Sequence, residues 1–164
     1  MKVKFILLGI CILGLTIGGY AQTSDAEADA LINLLGVQKK EAIRQLVSVS
    51  GKDSAAFWKL YDDYHQKNLA TAKDRLKLYE STANSYGTMS PTVADSLAKK
   101  YFQNRFSQEK TLEEYYSKIK SATSAVVAFE FYQAEVYLLT QIRAQIMQQI
   151  PTYGQFQTMI KNKK

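Results

Sequence analysis

The sequence predicts an all-α protein, a four-helix antiparallel arrangement dominated by a long helical hairpin and without a β-sheet. Three observations carry this. Apolar residues recur at helical spacing over long windows. Gly and Pro are scarce after residue 21 and fall where that spacing stops. No stretch of the mature chain alternates apolar and polar residues at period two between hairpin turns.

Residues 1–21 read as a cleavable secretory signal peptide. Lys2 and Lys4 supply a positive start, Phe5 to Ile17 an apolar run, and Gly19-Tyr20-Ala21 a small-x-small cleavage site. The run is shorter than the roughly 20 apolar residues of a spanning helix, so no integral membrane span is expected after cleavage. The product is expected in the periplasm. Cys11 is the only cysteine and leaves with the peptide, which excludes disulfides, thiolate metal sites and cysteine nucleophiles from the mature protein. Removing 21 of 164 residues leaves 143, the size of one domain, assigned to residues 22–151 with a flexible basic tail over 152–164. Loss of Lys2 and Lys4 lowers the formal charge from +6 to +4, and Lys161, Lys163 and Lys164 close the chain. So small a charge, gathered at one end, argues against a nucleic-acid surface.

The first helix is expected from Asp25 to Val49 with a break at Gly36; Asp25, Glu27 and Asp29 suit the positive end of its dipole. Ser50 with Asp53 resembles a capping box that starts the second helix, which continues to about Tyr86. Phe57, Tyr61, Tyr64, Ala72, Leu76 and Tyr79 lie on its apolar stripe, with Trp58 and Leu69 at the edge. Ser90-Pro91 starts the third helix with a cap hydroxyl and a proline in the first turn, and Val93, Leu97, Tyr101, Leu112, Tyr115 and Ile119 form its stripe. Ser121 to Ser124 caps the fourth, which Pro151 ends. Its apolar residues, among them Phe131, Val136, Leu139 and Ile146, cover about half the circumference, so it reads as the most buried element.

No cofactor motif, nucleophile elbow or Gly-rich loop is present, and the chain does not read as an enzyme. Asp62-x-x-His65 has metal-ligand spacing but stands alone, and His65 falls on the apolar stripe as a hydrogen-bonded core residue would. Arg75 and Glu135 fall where a helical wheel predicts burial, and buried charges are tolerated only in pairs. Glu135 is therefore expected to pair with Arg75 or with Arg105 of the third helix. Phe102 and Phe106, four residues apart, stack on a face turned roughly 100° or more from the main stripe of their helix. Another helix of the same chain, a second protomer in a homodimer, or a bound client would cover them.

Ala56-Phe57-Trp58-Lys59-Leu60-Tyr61-Asp62-Asp63-Tyr64, Leu112 to Ile119 and Ala128 to Glu135 running on to Arg143 resemble stretches of the Spy and CpxP-like small periplasmic helical proteins, especially relatives described as sensors of sigma-factor systems. The likeness spans about Lys39 to Pro151. The Leu-Thr-x-x-Gln motif of that group is replaced at two helix starts, by Val49-Ser50-Gly51-Lys52-Asp53 and Ala122-Thr123-Ser124-Ala125-Val126. The resemblance implies a thin, curved helical hairpin with flanking helices, commonly dimeric, that binds unfolded proteins without ATP or reports envelope stress. On this reading the protein is an exported, ATP-independent chaperone-like binder with Trp58, Phe102, Phe106 and Tyr116 as client contacts. The alternatives are a sensor or regulatory partner of one envelope protein, and a metal-binding stress protein using Asp62 and His65.

Overall fold

Hydroxyl caps and a proline set where the long helices begin. The computed structural model describes residues 25–162, with side chains from Asp29 onward; the expected signal peptide lies outside them. Helix α1 is Asp25–Leu46, α2 Gly51–Asn84, α3 Pro91–Ala122, α4 Ala125–Gln148 and α5 Tyr153–Lys161, with a 3₁₀ turn at Tyr86–Thr88. No strand occurs among the described residues, and the fold is all-α. Ser90 Oγ accepts from the Val93 N–H and Ser124 Oγ from the Val127 N–H, satisfying donors that the first turns of α3 and α4 leave open. At α2 the expected capping box takes another form, because Ser50 Oγ donates to Asp53 Oδ2 at 2.8 Å and caps no backbone N–H.

The α2–α3 hairpin makes the most extensive helix contact, and α1 and α4 close a ring of four in which α1 touches α2 and α4. At 34 residues, α2 is about 51 Å long. The tight core occupies one end of this ring, where α1 finishes, α2 starts, α3 finishes and α4 starts. Ile43, Phe57, Tyr61, Leu112, Ile119 and Phe131 are all buried there. Phe131 reaches across from α4 and meets Phe57, Tyr61 and Tyr64 edge-on, at centroid distances of 6.3, 6.3 and 5.2 Å. Such edge-to-face pairs each add about 0.5–1.5 kcal/mol beyond their buried area. Midway along the bundle the packing loosens into a cleft of about 120 Å³ between α1, α2 and α4.

Two expectations need correction. Helix α1 runs unbroken through Gly36, because the His65 ring rests there: a Cβ at Gly36 would lie 2.4 Å from His65 Cε1 and 2.7 Å from Nε2. The glycine makes room for an imidazole instead of ending a helix. Helix α4 buries five of its 24 residues, a larger share than α2 with six of 34 or α3 with five of 32, but on one side only. It buries Val127, Ala128, Phe131, Ala134 and Glu135, while its other side exposes Val126, Phe129, Val136, Tyr137 and Met147. An apolar composition on all sides does not say which side a bundle will use. Finally, the tail expected to be flexible holds α5, begun by a capping box in which Thr152 Oγ1 accepts from the Gln155 N–H and Gln155 Oε1 accepts from the Thr152 N–H. Tyr86 anchors it, packing on Tyr153 at 5.6 Å and Phe156 at 5.3 Å and donating its hydroxyl to the Pro151 carbonyl.

The Gly36–His65 contact predicts a coupled pair. Alanine is normally favoured over glycine within a helix by about 1 kcal/mol. Gly36→Ala should fail to gain that in the wild type, because overpacking against the ring offsets it. In a His65→Ala background the same change should stabilise by about 1 kcal/mol, as read from paired urea melts.

Candidate functional site

The charged centre of the molecule is Glu135, fully buried on α4 and reached from two other helices. Lys39 of α1 donates its Nζ to Oε2 at 3.0 Å, and Tyr64 of α2 donates its hydroxyl to the same oxygen at 2.9 Å. Lys39 exposes only 9% of its side chain, so the ion pair is almost dry. This corrects the expected partners: neither Arg75 nor Arg105 reaches Glu135. Arg75 donates Nε to Asn104 Oδ1 of α3, and Arg105 is exposed. Lys39 went unnoticed because a cation at a helix position with polar neighbours reads as solvated, and its partner lies 96 residues away. Burial, and then the Glu135 charge, push both tyrosine hydroxyls, Tyr61 and Tyr64, above their ordinary pKa, so both stay protonated; Tyr64 donates to the carboxylate, while the buried Tyr61 hydroxyl makes no hydrogen bond.

His65 and Asp62 are drawn into separate tasks. Asp62 forms an ion pair with Lys40, and the His65 ring sits against Gly36. No group of three His, Cys, Asp or Glu side chains placed to hold a metal ion occurs among the described residues. Burial, reinforced by the Lys39 charge, lowers the His65 pKa below 6.5, against a weaker pull from Glu135.

The four expected client contacts do not form one surface. Trp58 is half-buried: it packs edge-on against Phe57 at 5.0 Å and Tyr61 at 5.7 Å, and the Arg44 guanidinium covers its ring at 4.5 Å. Tyr116 is also half-buried against the core. Phe102 and Phe106 are different, each 71% exposed and covered by no element of the described chain. A second exposed apolar row lies on α4, where Phe129 and Val136, and Val126 and Met147, are spaced by multiples of seven residues. Sequence reasoning missed it because the same helix supplies the core. No described helix is long and apolar enough to cross a membrane.

Because the folded-state pKa of His65 is depressed, the unfolded chain takes up the proton first as pH falls. The stability carried by neutral His65 is complete above its unfolded pKa and is lost as pH drops through about 6.5 toward the lower folded value. The melting temperature should therefore fall between about pH 7.5 and 5.5, and His65→Gln should flatten that fall relative to the wild type.

No protein-family model, curated protein or solved structure matches this chain.

Proposed function

We propose that this is an exported, non-enzymatic binding protein of the periplasm that holds partly unfolded clients without ATP. The observation that carries the reading is the exposure of two neighbouring phenylalanines, Phe102 and Phe106, at 71% each on the outer face of α3. Single exposed apolar residues are ordinary on a protein surface, but two large rings one helical turn apart have an incentive to be covered. The charged residues around them, Lys99, Lys110 and Glu109, offer polar contacts that suit varied partners. The likeness to Spy and CpxP proteins belongs to this proposal.

A second reading, a regulatory partner that recognises one envelope protein, is favoured by the α4 row. Val126, Phe129, Val136 and Met147 keep heptad spacing, which suits one partner helix better than many clients.

Equimolar mature protein should suppress aggregation of a reduced test protein. The Phe102→Ser/Phe106→Ser double variant should lose most of that activity while its stability changes by less than about 0.5 kcal/mol per site, as exposed positions do. Absence of suppression by the wild type, combined with recovery of one stoichiometric partner on a column, would favour the second reading.

A further inference from the structure

We propose that the cleft between α1, α2 and α4 is a binding site for a single-chain anionic amphiphile of the alkyl carboxylate class. Its walls are aliphatic: Leu31 and Leu35 come from α1, Leu69 and Leu76 from α2, and Leu139 and Ile142 from α4. Along α2 it is lined from Tyr64 to Tyr79, a length of about 22 Å at the helical rise. Ala72 of α2 presents only a methyl group to it. At about 120 Å³ the enclosed space is smaller than that of a drug-sized site, so an alkyl chain would lie along the cleft with part of its length open to solvent.

Of the three cations that line it, Lys39 is already paired with Glu135, which leaves two arginines. Arg75 and Arg143 both line the cleft, and α3 supplies only neutral amide oxygens to them: Arg75 donates to Asn104 Oδ1 and Arg143 to Gln108 Oε1. Among the described residues neither guanidinium has a carboxylate within ion-pair distance. One nitrogen of Arg75, Nη2, is buried and makes no hydrogen bond. Burial, followed by the neighbouring Arg75 charge, holds Arg143 below its usual pKa, against smaller opposing pulls from Tyr79 and Glu109. Like charges gathered in a part-buried place without an anion repel, and an unpartnered guanidinium nitrogen costs desolvation. A carboxylate matches the planar fork of an arginine with two parallel hydrogen bonds, and an alkyl tail matches the aliphatic walls. One ligand satisfies both. The site is separate from Phe102 and Phe106, so it stands or falls independently of client binding.

The test is calorimetric titration of the full mature protein, with each amphiphile kept below its micelle concentration. Laurate should bind one per chain and at least about tenfold more tightly than dodecanol, the difference expected of a charge-assisted hydrogen bond, while acetate should not compete. Arg143→Met should weaken laurate by at least about tenfold and leave dodecanol unchanged. It should also raise the melting temperature of the ligand-free protein, since it relieves the repulsion from Arg75; a purely structural arginine would lower it. Ile142→Trp should fill the cleft and remove binding of both amphiphiles. If Arg143→Met does not fold, the wild-type comparison of laurate with dodecanol still decides. Failure of laurate to bind, equal affinity for the two amphiphiles, competition by acetate alone, or full laurate affinity in folded Arg143→Met would each overturn the proposal.

Discussion

A carboxylate with no contact with water must be neutralised by whatever surrounds it, and Glu135 draws its partners from two other helices. Lys39 arrives from α1 and Tyr64 from α2, both at hydrogen-bond distance from Oε2. Sliding α4 by one residue would carry the carboxylate away from both donors and leave three buried polar groups without partners. The cluster thus ties α1, α2 and α4 to one register, while α3 is held separately by its hairpin with α2. Buried ion pairs often add little net stability, but breaking one by removing a single partner is costly. Their physical effect lies in what they forbid.

Around that cluster the bundle divides along its length. On one side Phe131 interlocks with Phe57, Tyr61 and Tyr64, and the core is dense. On the other side, past Glu135, α4 contributes half-buried aliphatic residues together with Arg143, and α1 carries Gly36 with His65 set into it. Packing that is complete at one end and loose in the middle leaves room where a ligand would sit without disturbing the core. Apolar surface is likewise not confined to the interior, since α3 and α4 each present an uncovered row outward.

Much of this was legible locally. Ser90-Pro91 and Ser124 mark helix starts with a chemistry that needs no tertiary context, and the stripes of α2 and α3 follow from periodicity alone. Thr152-x-x-Gln155 carried the same capping signal for α5 and was passed over because basic chain ends usually fray. What could not be read depends on residues far apart in the chain. Gly36 looks like a helix breaker until His65 is placed against it, and Lys39 looks solvated until α4 brings Glu135 to it. The wheel placed Glu135 inside correctly and named the wrong cations, because a wheel gives direction within one helix and says nothing of which neighbour faces it. The same limit hid the Arg75 and Arg143 pair, which meets only when α2, α3 and α4 are assembled.

The central claim is that the Lys39–Glu135 pair sets the register of the bundle, and a double-mutant cycle measures it directly. Lys39→Met should cost about 3–5 kcal/mol because it strands a buried carboxylate, and Glu135→Leu should also destabilise by removing the partner of a nearly buried ammonium. The Lys39→Met/Glu135→Leu double variant should cost less than Lys39→Met alone, since an apolar pair leaves no stranded charge. Costs that simply add, with the double variant the least stable of the three, would contradict the account.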